Sequence, residues 1–363
     1  GGLILNNAQS KLLLNKITLD SASTSANNSG VDVNESSTIT ALAVGHTTPV
    51  SIADGKTLSG AITVTAGSIK LGETGTLASA VTMSGGTLDA DETLTLSGAL
   101  SHTADITIDV AENKTFTYSG TAINVGANTI TLSGGGSLVS GGMTLNDAQS
   151  KLLLNSITLD SASTSANSLG LDVDETSTVT SLTVGHITPV SIAAGKTLSG
   201  VVTVTGGSIK LNETGTLAST VTMNGGILDA DETLTLSGKL GVAQNQAGNI
   251  TIDVAEGKTL SYSGGNNFVN LGRKTLTLSG GGTLSNTYAF RLNNAESVLQ
   301  LNAITLNKVK TGADTNYGLV VNDDATVTSL IVSHDTPVSI ADGKTLSGGI
   351  TVSAEYLVLE ESG

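Results

Sequence analysis

Cysteine and tryptophan are missing from this chain of 363 residues, and proline occurs only 3 times. Without cysteine, a disulfide framework, a thiolate metal site and a cysteine nucleophile are excluded. Aromatic residues make up 2 % of the chain although hydrophobic residues make up 38 %. The apolar set is therefore mainly Ala, Val, Ile and Leu. Ordinary globular cores draw much of their buried area from large rings. This core has to be narrow and built from small and branched side chains. Charge is sparse too, at 13 % of residues, about half the usual share. A disordered acidic tail is richer in charge and poorer in Val, Ile and Leu.

Basic residues number 16 against 31 acidic ones, a net charge of −15, and the only arginines are Arg273 and Arg291. That balance argues against nucleic acid, whose phosphates demand clustered Lys and Arg. It argues equally against a polybasic membrane patch. No apolar run approaches the ~20 residues of a membrane helix. Gly1 opens directly in patterned sequence, without Met or a signal-like segment. The pattern suggests a window on a longer array, or a subunit whose ends stack on neighbours.

What is abundant is repetition. Gln9 to Asn15 recurs as Gln149 to Asn155, a shift of 140, and residues 3–100 align without a gap on 143–240. About three-quarters of those positions are identical. A third, more diverged copy follows, with His46, His186 and His334 in one phase and Pro49, Pro189 and Pro337 in another. The later copies are offset by insertions near 241–249 and before Leu271. The long repeats read as 1–140, 141–287 and 288–363, the third stopping early.

A shorter period lies inside the long one. Thr38, Thr57 and Thr76 are 19 apart, as are Thr178, Thr197 and Thr216. Between them run alternating segments such as Ile106-Thr107-Ile108-Asp109-Val110 and Thr129-Ile130-Thr131-Leu132, the signature of half-buried strands. Gly, Ser, Asn and Asp punctuate them at turns. Gly and Thr are too dense for good helices. Short strands in units of about 20 residues predict an all-β chain: a single continuous parallel β-solenoid over 1–363, of about 18 coils. Each coil stacks on the next at about 4.8 Å.

The segments Gly55-Lys56-Thr57-Leu58-Ser59-Gly60 and Gly272-Arg273-Lys274-Thr275-Leu276-Thr277-Leu278-Ser279-Gly280-Gly281-Gly282 resemble repeats of large bacterial surface proteins, the autotransporter passengers and filamentous-haemagglutinin-type adhesins. The resemblance is one of texture along the whole chain. It implies a right-handed parallel β-helix, exported and displayed outside the cell. No translocator barrel or secretion domain accompanies it.

Several constellations merit chemical scrutiny. Imidazole can ligate metal or act as a base, but His46, His186 and His334 fall one per long repeat and cannot converge. His102 has no counterpart in the second copy. The acidic turns Asp89-Ala90-Asp91-Glu92 and Asp229-Ala230-Asp231-Glu232, with Asp32 to Glu35 and Asp172 to Glu175, offer oxygens of the kind calcium takes. The nonapeptide calcium signature is absent, and a solvated turn explains them. Asp109 and Glu112 resemble the carboxylate pair of a glycosidase, yet Asp253 and Glu256 duplicate them. The Thr-x-Thr pairs, among them Thr63/Thr65, Thr93/Thr95 and Thr115/Thr117, suit an ice-binding array. Unit lengths that drift between 17 and 22 work against a regular lattice, as Thr57, Thr76, Thr93 and Thr115 show. Asn34, Asn113, Asn212 and Asn249 open glycosylation sequons. Tyr288, Phe290 and Tyr317 form a late aromatic group, suited to a contact patch or to core filling.

The expectation is therefore a non-enzymatic structural protein: a segment of a long extracellular surface fibre, without catalytic, cofactor-binding or metal residues. Its partners are copies of itself stacked end to end, or neighbouring repeats of one long chain. The alternative is an adhesin passenger whose lateral face contacts a glycan or a surface, with ice binding a lesser one.

Overall fold

The computed structural model describes residues 2–242, 248–264, 268–271, 275–286, 289–292, 296–311, 318–332, 336–353 and 357–359. Those residues are all-β, without a helix. Parallel strands form the stacked coils of a β-solenoid, about 16 turns of about 20 residues each. The count falls slightly below the expected 18 because some coils are longer. Asp229 and Asp253, 24 residues apart, are register partners, and so are Asp253 and Ser279, 26 apart. The chain divides into two compact units, Gly1–Thr180 and Ser181–Gly363, with the boundary inside the second long repeat.

In the first unit each coil alternates between two sheets. One contains Thr18–Thr24, Ser37–Val44, Thr57–Val64 and Ala80–Met83; the other contains Lys11–Asn15, Gly30–Glu35, Thr48–Ile52 and Ser68–Leu71. Strand residues alternate inward and outward because the side-chain period of a strand is two. In Ile106–Val110 the three aliphatic residues are buried, while Thr107 and Asp109 face out. Stacking aligns like with like: Ala22, Leu42, Ile62 and Val81 form one inward column, and Ile69, Leu88, Ile108, Leu132 and Leu154 another. The core is thus a thin aliphatic spine, with Phe116 and Tyr118 as its wide points.

The second unit repeats this plan. Val202 and Val221 stack in one sheet, and Ile209, Leu228, Ile252 and Leu278 in the other. Phe290 and Tyr262 are buried there, so Phe290 fills core; Tyr288 and Tyr317 lie outside the described residues. The insertion near 241–249 falls between strands Leu234–Val242 and Ile250–Val254. It leaves the ladder intact, since Ala230 still pairs with Val254 as Ala90 pairs with Val110.

The motif Gly55 to Gly60 now has a cause. Gly55 sits in the tight turn with φ 68°. Gly60, with φ 120°, lies against a bulge of the preceding coil. There Ile39 pairs with Gly60 and Ala41 with Ala61, leaving Thr40 without a register partner on that side. A Cβ on Gly60 would stand 1.8 Å from the Ile39 carbonyl oxygen, so only glycine fits.

Candidate functional site

Lysine-to-carboxylate pairs recur along the ladders, joining register neighbours or adjoining turns one coil apart. Lys70 Nζ lies 2.8 Å from Asp89, its ladder partner, and Lys56 Nζ lies 2.8 Å from Glu35. Lys11 reaches Asp32, Lys114 reaches Glu92, and Lys151 reaches Asp172 in the same way. In the second unit Lys258 meets Glu232 and Lys344 meets Asp323. The hydrogen bond from Lys70 to Asp89, and then the charge of Asp89, raises the Lys70 ammonium above the ordinary lysine value.

The acidic turns therefore come apart into individual roles. Asp89 faces outward in the sheet, between Lys70 on one side and Asp109 on the other. Asp109 accepts a hydrogen bond from Ser133 Oγ of the next coil. Asp91 is exposed in the turn, and Glu92 is held by Lys114. The second unit reproduces the set: Lys210 beside Asp229, Asp229 in register with Asp253, and Ser279 donating to Asp253. Burial first, and Asp231 second, push the Asp229 carboxyl up from its ordinary value. Among the described residues no group of three or more His, Asp or Glu side chains could hold a metal ion. Asp109 is thus engaged by Ser133, and Glu112 stands exposed at the neighbouring turn.

The recurrent histidines sit at a turn whose bonds run through the main chain. Thr48 Oγ1 donates to the His46 carbonyl over 3.0 Å, and Thr188 Oγ1 donates to that of His186 over 3.1 Å. Both rings are exposed, and His334 lies outside the described residues. His102 differs. Its ring lies between the carbonyl oxygens of Ala104 at 3.3 Å and Asn124 at 2.9 Å, bridging two coils. It lines an open groove of about 390 Å³ with Tyr118, Thr121 and Asn128. Both ring nitrogens already face main-chain oxygens, so the groove is a structural junction.

The threonines stack despite the drift in unit length. Thr57, Thr76, Thr95 and Thr117 are successive register partners, although the spacings are 19, 19 and 22 residues. Turns absorb the extra residues and the ladder keeps its phase. In the second unit Thr197, Thr216 and Thr235 stack alike, and Ser261 and Ser285 follow. These hydroxyls are half-buried.

Among the described residues, the paired polar side chains named above are strung along the ladders, each meeting a partner on a neighbouring coil. Sequence reasoning found the participating residue types but missed their partners, which stand one coil away. A search at the coil length of 19 to 26 residues would have found the Lys–Asp pairs. No family model, no curated protein and no solved structure matches the chain.

Proposed function

We propose that this chain is a β-solenoid segment of a long extracellular surface fibre, with a mechanical and non-enzymatic role. The observation that carries the reading is the recurrence, with its partners, of an extended polar ladder constellation. Lys70–Asp89–Asp109–Ser133 becomes Lys210–Asp229–Asp253–Ser279. A catalytic site evolves once, at one place; a ladder device recurs at each coil that needs its register fixed. Stability in such an array accumulates with each nearest-neighbour interface, which suits a mechanical role. The extracellular placement rests on the resemblance of the Gly55 to Gly60 repeats to those of bacterial surface proteins.

Electron cryo-microscopy of the native material tests this. Long filaments are expected, with a layer spacing of about 4.8 Å and a superperiod of about 34 Å from seven coils. Discrete short particles would sink the fibre reading and shift attention to a passenger that binds glycan through a lateral face.

A further inference from the structure

A neutral imidazole carries one N–H donor and one lone pair, and an imidazolium carries two donors. The surroundings of His102 discriminate between these states. Its Nε2 lies 2.9 Å from the Asn124 carbonyl oxygen, which can only accept, so Nε2 holds a proton in both. Nδ1 has two neighbours of opposite kind. The Ala104 carbonyl oxygen at 3.3 Å can only accept, and Asn128 Nδ2 at 3.5 Å can only donate. A lone pair on Nδ1 therefore suits Asn128 alone, and a proton on Nδ1 suits Ala104 alone. The ring is half-buried, and His102 and Asn128 both line the open groove already described.

The ionisable side chains around the ring each have another partner. Asp105, beside Ala104, is exposed and accepts a hydrogen bond from the Thr129 amide over 2.7 Å. The Tyr118 hydroxyl, in the same groove, accepts one from the Leu100 amide over 3.2 Å. Asp147, in the turn after Met143–Leu145, accepts one from the Gln149 amide. Lys151, whose amide binds the Asn128 carbonyl, turns its ammonium to Asp172. The strands Ala80–Met83, Ile123–Asn124 and Met143–Leu145 bring no ionisable side chain. The second long repeat has Val242 at the same ladder position, paired with Met223 as His102 is with Met83. The ladder thus accepts a side chain there that binds no proton.

We propose that His102 is a proton-operated clasp on this groove. In the neutral ring Nδ1 accepts a hydrogen bond from the Asn128 carboxamide. Protonation makes Nδ1 a donor, which binds the Ala104 carbonyl, and the Asn128 carboxamide is released into the groove. The Asn128 main chain stays in place, because its carbonyl accepts from the Lys151 amide at 3.1 Å and the nearby Gly126 amide donates to Asn146 Oδ1 at 2.9 Å. The exchange is confined to side chains. Acid ties the ring to two carbonyls on two coils and turns an amide donor towards the groove. This is independent of the fibre reading, which concerns stacking along the axis.

Nuclear magnetic resonance of the full chain, labelled with nitrogen-15 in histidine and asparagine, is the test. Spectra are taken between about pH 8 and pH 5, the range over which imidazoles change charge. His102→Val, which restores the residue of the second copy, assigns the His102 ring signals by their loss, and Asn128→Ala assigns the carboxamide. At about pH 8 the His102 ring is expected as the tautomer with its proton on Nε2. As pH falls, Nδ1 should gain a proton and the Asn128 carboxamide signals should shift with the same midpoint. In His102→Val those carboxamide signals should stay constant. His102→Gln, which keeps a donor and does not titrate, replaces the valine variant should that fail to fold. A neutral ring with its proton on Nδ1 overturns the proposal. So does a ring that stays neutral down to about pH 5, or an Asn128 carboxamide that ignores the His102 titration or still shifts when the imidazole is gone.

Discussion

Two glycines five residues apart in one turn-and-strand motif should respond very differently to the same methyl group. Gly55 has φ 68° and nothing within 4 Å of the position a Cβ would take. Alanine there meets only the left-handed backbone penalty, about 1 to 2 kcal/mol. Gly60 has φ 120°, a region that side chains other than hydrogen avoid at a cost of about 1 to 3 kcal/mol. Its Cβ would also lie 1.8 Å from the Ile39 oxygen and 2.7 Å from the Ile39 carbonyl carbon. Relieving that overlap displaces the bulge at Thr40 and sacrifices a ladder hydrogen bond, about 1 kcal/mol more. Gly60→Ala is therefore expected to cost about 2 to 4 kcal/mol, against about 1 to 2 for Gly55→Ala.

Because solenoid stability is local, the readout should be local. Amide hydrogen exchange across Ser37–Val44 and Thr57–Val64 reports the opening of these two coils. Gly60→Ala should raise exchange there roughly fivefold to thirtyfold more than Gly55→Ala, since each 1.4 kcal/mol is a factor of ten. Gly348→Ala should behave like Gly60→Ala, because Gly348 has φ 123° and its Cβ would stand 1.8 Å from the Val327 oxygen. Equal effects at Gly55 and Gly60 would refute the reasoning. The motif's second glycine would then serve chain entropy, and the close approach of coil to coil would have no part in its choice.

Further outcomes follow from burial and charge. Leu58→Ala should cost about 2 to 5 kcal/mol, since Leu58 is fully buried, whereas Leu13→Ala, 57 % exposed, should stay within about 0.5 kcal/mol; urea unfolding compares them. Asp229→Asn should raise thermal stability at pH 7. Its carboxyl is pushed up by burial, so in the natural chain stability falls as pH rises from the unfolded value towards the folded one, and the substitution removes that loss. Asp323→Asn should act in the opposite sense. The hydrogen bond from Lys344, with that from the Asp324 amide, holds the Asp323 carboxyl below its ordinary value. Its contribution is present above the unfolded value and is lost as pH falls through the folded one. Melting curves between about pH 3 and pH 7 separate the two signs.

Alternation and turn chemistry carried the fold because each coil obeys them on its own. The strand Ile106–Val110 can be read as in-out-in-out-in from five letters. Leu12-Leu13-Leu14 cannot: three identical apolar residues hide which one faces outward, and only the ladder pairing of Leu13 with Asp32 decides it. The same limit governs the candidate chemistry. Asp109 looked available beside Glu112 because its true partner, Ser133, is 24 residues away. His102 gave no reading because Asn124, whose carbonyl it meets, belongs to the following coil. Drift in the threonine spacing suggested a broken lattice, since sequence spacing counts turn residues that the ladder ignores. What was illegible is one kind of information throughout, namely which residue stands one coil above another.

The three copies show where such a chain is free to change. Inward, the first two copies differ by aliphatic exchange: Val31 for Leu171, Ile39 for Val179, Ile62 for Val202, all fully or almost fully buried. A spine packed at crystal-like density accepts a change of branching more easily than a change of polarity. Outward, polarity itself changes: Asp54 becomes Ala194, Ala43 becomes Thr183, and Thr87 becomes Ile227, which is 40 % exposed. The ladder holds its register through both kinds of change, with Ser68 pairing with Thr87 as Ser208 pairs with Ile227. Fold and surface are therefore nearly independent here, and identity between copies reports the demands of stacking more than those of function. Specific recognition has to be sought where outward residues change together within one small area.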